Sequence, residues 1–230
     1  MCDRRPDITK VPLPTLVAQL RKSSEASARI YGCATSYTEE LEIFRAYAEK
    51  QKLFLDQTPE TLETPPTAEG NEHQVWYRET CADFVKATWP NHFGMLVIHR
   101  NDEEPQASPI AYLERWHLHN DLFGDSVEFL GILDTPPGMR LLIRQPAIEG
   151  KVATFEQIHH FFADSGWIPF VIDGNTAYFD PSREIVVSDT HQGNIIVMDD
   201  GYLAPIDLRV QKLQPTLVSI VEKLCNAKGL

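Results

Sequence analysis

The chain has 230 residues, 43% of them hydrophobic, with 33 acidic against 21 basic residues and a formal net charge of −12. That size supports one domain of about 150 residues plus an extension, and the acidic balance argues against a DNA- or RNA-binding surface. There is no run of about 18 apolar residues and no signal-peptide core, so the expectation is a soluble, cytoplasmic protein without a membrane anchor.

Residues 12–54 carry helical periodicity, clearest in Leu41, Phe44, Tyr47 and Ala48, and the proline-rich segment 58–67 follows. Residues 1–68 are therefore expected to form a helical extension and linker, suited to packing on the rest of the chain, gating it or binding a protein partner. Six basic and three acidic residues in the first 30 give it the balance of a solvated arm. Next, 74–77 and 83–88 have strand character around a turn at 79–82. Ser108-Pro109 opens a helix running to about Phe123, a capping hydroxyl followed by proline at the first helical position. Ala111, Glu114, Leu118 and Leu122 share one of its faces, setting Glu114 in an apolar stripe. Such a half-buried carboxylate needs a cation nearby.

Leu141 to Gly150 reads as a buried strand that breaks at Pro146. Thr154 starts a helix with Gln157 as its capping-box partner, Phe155, Ile158, Phe161 and Phe162 as its core stripe and Gly166 at its end. Strands are expected at 184–187, 194–198 and 203–208, the last two joined by the turn Asp199-Asp200-Gly201-Tyr202, and a short amphipathic helix at 215–224. Cys2, Cys33, Cys81 and Cys225 form neither a CxxC pair nor a disulfide framework and read as free thiols. The histidine pairs 117/119 and 159/160 lack the spacing of a zinc site.

The chemistry-bearing stretch runs from Val187 to Leu208. Phosphoryl transfer from ATP needs a carboxylate that orients or deprotonates an acceptor hydroxyl, and hard oxygen ligands that hold magnesium against the phosphates. Asp189 suits the first task. Asn194 and Asp207 suit the second, because a hairpin between their strands would bring them to one metal ion. His191 reads as a residue that fixes the loop.

The segment from Asp189 to Leu208 resembles the catalytic and metal-binding loops of the protein-kinase-like superfamily, in the form seen in aminoglycoside and choline phosphotransferases. It is closer still to the kinase domain of polyvalent proteins of phages and mobile elements. That likeness runs from about Gly70 to Gln211 and includes Tyr112-Leu113-Glu114-Arg115-Trp116, Leu122-Phe123-Gly124-Asp125, Tyr178-Phe179-Asp180-Pro181 and Pro205-Ile206-Asp207-Leu208. It implies an α+β, minimal two-lobed kinase-like fold: a small antiparallel-sheet lobe with one helix at about 69–145 and a reduced large lobe at about 146–230. It also implies that Lys86 holds the phosphates, that Glu114 orients Lys86, that Gly70 begins a residual glycine loop, and that the backbone at Gln145 and Ala147 meets the adenine. ATP and Mg2+ are the implied cofactors.

The chain departs from the kinase pattern in three places. Its glycine loop is reduced to Gly70-Asn71-Glu72-His73-Gln74, Val187-Ser188 precedes Asp189, and 23 residues follow Asp207, short of the segment that holds peptides in ordinary protein kinases. The phosphate acceptor, protein or small molecule, therefore stays open. The alternative reading is a catalytically inactive nucleotide-binding or partner-binding pseudokinase.

Overall fold

A computed structural model describes residues 11–31, 36–100 and 105–226, the side chains of 28–31 excepted. The fold is α+β, with every ladder between its strands antiparallel, and it divides into two compact units. No helix among the described residues is long and apolar enough to cross a membrane.

The first unit contains α1 (Leu13–Tyr31), α2 (Tyr37–Gln51), β1 (Ala68–Glu69), β2 (His73–Arg78), β3 (Asp83–Thr88), the start of α3 (Pro109–Phe123), β4 (Glu128–Thr135) and β5 (Gly138–Pro146). Its sheet has the order β1-β2-β3-β5-β4. Alternation along β3 sends Val85 and Ala87 to one face and Lys86 and Thr88 to the other. Val85 and Ala87 join Trp76, Leu130, Leu133 and Leu142 in one cluster, with Leu55 and Leu62 packed on it. Another cluster joins Leu141 and Ile143 to Ile110, Leu113 and Trp116 of α3, Leu16 and Leu20 of α1 and Phe44 of α2. The two N-terminal helices thus contribute to the core of the same unit as the sheet.

The stretch after α2 is bonded to the sheet at both edges. Leu55 N–H donates to Ile132 O at 2.8 Å and Ile132 N–H to Leu53 O at 3.0 Å on the β4 side. On the β2 side Thr67 N–H donates to Val75 O at 2.7 Å and Trp76 Nε1 to Thr64 O at 2.8 Å. The proline-rich segment is therefore a strap, where its composition suggests a loose linker. β4 has no counterpart in the sequence reading, because Gly131 interrupts its pattern. That glycine sits at φ +142° beside a bulge, and a Cβ there would lie 2.8 Å from Leu55.

The second unit contains the end of α3 from Leu118 onward, β6 (Lys151–Val152), α4 (Phe155–Asp164), β7 (Ile168–Ile172), β8 (Asn175–Asp180), β9 (Ile185–Ser188), β10 (Ile195–Val197), β11 (Leu203–Pro205), β12 (Arg209–Lys212) and α5 (Pro215–Asn226). Its sheets run β11-β10-β6 and β12-β9-β8-β7. Tyr178 and Val187 pair across β8 and β9 and share a cluster with Ile158 and Phe162 of α4; Phe179 and Val186 pair one step on and pack with Leu217 and Val221 of α5. Thr154 and Gln157 form the expected capping box. Phe155 is a correction: it is 69% exposed, because the first turn of α4 overhangs the cluster that buries Ile158 and Phe162. Cys81 is disulfide-bonded, which overturns the free-thiol expectation at that residue, while Cys225 is in no disulfide and Cys2 and Cys33 lie outside the described residues.

Candidate active site

Asp189, Asn194 and Asp207 belong to the second unit. Past Ser188, the end of β9, Asp189 takes the left-handed conformation with φ +63°, which costs a non-glycine residue about 1–3 kcal/mol and persists only where its surroundings impose it. Side chains that follow it in the loop hold it here. Thr190 Oγ1 donates to Thr176 O and Gln192 Nε2 to Ala153 O, each at 3.0 Å.

Asn194 then joins the two loops. Its Nδ2 donates to the main-chain carbonyls of Asp189 and Asp207, both at 3.0 Å. The β10–β11 hairpin, with Ile195 opposite Pro205 and Ile206 N–H on Asn194 O at 2.9 Å, makes this reach possible. With both amide hydrogens committed, the amide plane is fixed, and no hydrogen bond reaches Oδ1 among the described residues. That oxygen and the half-buried Asp207 carboxylate are the hard donors magnesium takes. The described residues contain no group of three or more His, Cys, Asp or Glu placed to hold a metal; a magnesium ion that draws most of its ligands from phosphates and water needs none.

The Asp189 side chain is 39% exposed, with Oδ1 3.7 Å from His191 Nε2. His191 Nδ1 accepts Gly193 N–H at 3.1 Å, which places the proton of the neutral ring on Nε2, toward Asp189. The histidine caps a turn and faces the carboxylate, as a loop-fixing residue should.

Lys86, Glu114, Gly70, Gln145 and Ala147 belong to the first unit. Lys86 is 6% exposed, with Nζ 5.0 Å from the centre of the Trp116 ring. Glu114 is met by Arg21 of α1, where the sequence pointed to Lys86: Arg21 Nε donates to Oε1 at 3.0 Å and Nη2 to Oε2. The reason is helical geometry. Trp116 and Glu114 are two residues apart, about 200° around α3, so the flank that meets Lys86 is not the flank that carries Glu114. The buried positions of α3 include Ile110, Tyr112, Leu113, Trp116 and His119, and the expected stripe of Ala111, Glu114, Leu118 and Leu122 is only half-buried.

Gly70 N–H donates to His73 O at 2.8 Å and its carbonyl accepts Trp89 Nε1 at 2.9 Å, so both groups serve the turn into β2. Gln145 is buried in β5, and Ala147 N–H donates to Ala82 O at 2.9 Å, which leaves the Ala147 carbonyl rather than its amide to meet a base. Two roles were missing from the sequence reading: Asn194 as the tie between loops, and Arg21 as the partner of Glu114. Only the direction of Glu114 was within reach, since Glu114 and Trp116 cannot both face the sheet.

The family model described as serine/threonine/tyrosine kinase found in polyvalent proteins matches residues 37–214, more than half of the chain. The match begins in α2 and takes in the strap. Comparison with curated proteins and with solved structures finds no match.

Proposed function

Since the chain belongs to the serine/threonine/tyrosine kinase family found in polyvalent proteins, we propose that it is an ATP- and magnesium-dependent phosphotransferase acting on a hydroxyl of a protein or small molecule. Asp189 orients and deprotonates the acceptor hydroxyl. Asn194 Oδ1 and the Asp207 carboxylate hold the metal, Lys86 grips the phosphates, and the Ala147 carbonyl and the buried Gln145 border the base. Gly70, its amide engaged with His73, shapes the turn without gripping phosphate. ATP with magnesium supplies the phosphoryl group and neutralises its charge when bound. A cytoplasmic location belongs to this reading, because ATP is available there.

The observation that carries the proposal is the pair of 3.0 Å bonds from one Asn194 amide to Asp189 and Asp207, which fixes the acid loop and the metal loop as one piece with an oxygen left over. Thermal unfolding with ATP, with and without magnesium, tests binding: at 100 times the dissociation constant the fold should gain about 2.7 kcal/mol. Asp189→Asn should keep that gain and lower transfer to candidate acceptors, the protein itself included, by about 100- to 10,000-fold. Transfer that survives the substitution, or stabilisation indifferent to magnesium, would overturn the proposal.

A further inference from the structure

On the basis of that reading, we infer that Trp116 is the α3 group that aligns Lys86, and that Arg21 is a positioning residue which sets the angle of Trp116 by clamping Glu114. Lys86 Nζ lies 5.0 Å from the centre of a fully buried indole, and a cation over an aromatic face is held most firmly where water is excluded. The ring is fixed on its other sides. Tyr112 meets it edge-on at 6.3 Å, His73 lies at 6.3 Å with its Nε2 2.8 Å from the Tyr112 hydroxyl, and Arg115 Cζ is 5.0 Å from the ring centre.

What these contacts leave open is the roll of α3 about its own axis. Glu114 projects about 200° from Trp116, so a roll that carried Glu114 away from α1 would swing the indole across Lys86. Arg21 opposes that roll through both Glu114 oxygens, a fork geometry that only a guanidinium provides. Glu40 of α2 closes the arrangement: it lies 3.7 Å from Arg21, accepts from Ser24 at 3.3 Å, and accepts from Ser108, the residue that caps α3. The setting of α1 and α2 is thereby relayed to Lys86 through one helix, and Glu114 acts as a socket for α1.

Arg21→Lys, which keeps the charge and loses the fork, is the decisive variant, with Arg21→Gln beside it. In the nucleotide-free protein with 13C-labelled lysine, the Lys86 ε-methylene signal should be shifted upfield by the indole, as Trp116→Leu would show by abolishing the shift. Both Arg21 variants should move that signal toward its ordinary position. They should also raise the KM for ATP by about three- to tenfold with little change in kcat. An unmoved Lys86 signal and an unchanged KM in both variants would overturn the inference. If Lys86→Met abolishes ATP binding while Arg21→Gln does not affect it, the inference alone fails; if the unaltered protein binds no ATP, the phosphotransferase reading fails and takes this inference with it.

Discussion

The loop carrying Asp189 and the neighbourhood of Lys86 are held in opposite ways. In the first, a neutral amide grips main-chain carbonyls; in the second, ionised side chains from α1, α2 and α3 grip one another. A main-chain anchor tolerates no change of its single side chain but is indifferent to salt and pH, because a carbonyl neither titrates nor moves alone. A charged cluster spreads its work over several groups, so each replacement weakens it without abolishing it, and its exposed members are screened.

The contrast sets an order of effects. Asn194→Asp replaces two donors with a carboxylate facing two carbonyls, and should cost about 1–3 kcal/mol in denaturant unfolding, with loss of transfer; a neutral result would break the view that this amide pins both loops. Ser108→Ala removes the cap on Ala111 N–H and a donor to Glu40, for about 1 kcal/mol. A cost above that of Asn194→Asp would reverse the comparison.

Asp180 offers a third case, a carboxylate held by its own turn. Burial raises its pKa, but bonds from the Ser182 hydroxyl, Arg183 N–H and Ser182 N–H, with the charge of Arg183, outweigh burial and hold it below the ordinary value. Stability from a depressed carboxyl is complete above its unfolded pKa, about 3.9, and is lost as pH falls through the lower folded value. Denaturant midpoints of Asp180→Asn and the unaltered protein should therefore differ at neutral pH and converge below about pH 4. Smallest of all, Arg45→Ala breaks a solvent-exposed pair with Asp134 and should change stability by less than about 0.5 kcal/mol, vanishing in added salt.

What was legible in the sequence follows the same division. Elements marked by local chemistry, such as Thr154 with Gln157, the proline after Ser108 and the alternation of 83–88, need only neighbouring residues to declare themselves. Asp189, Asn194 and Asp207 stood out because they lie close together in the chain, on loops joined by a hairpin that the turn at 199–202 announces. The partner of Glu114 did not, since Arg21 is 93 residues away and nothing local distinguishes it from other basic residues of α1. Phe155 misled because helical phase says which way a side chain points, not whether the core extends far enough to meet it. β4 was hidden by a glycine whose purpose is tertiary, to admit Leu55.

The strap of residues 53–69 has a practical consequence. Its two ends occupy the β4 and β2 edges of one sheet, and a sheet with bare edges invites pairing with other chains. Cutting the protein at residue 70, where its proline-rich composition suggests a natural boundary, would uncover both edges at once. The fragment would be prone to stack into insoluble assemblies, so residues before 70 serve as a guard against self-association whatever else they do.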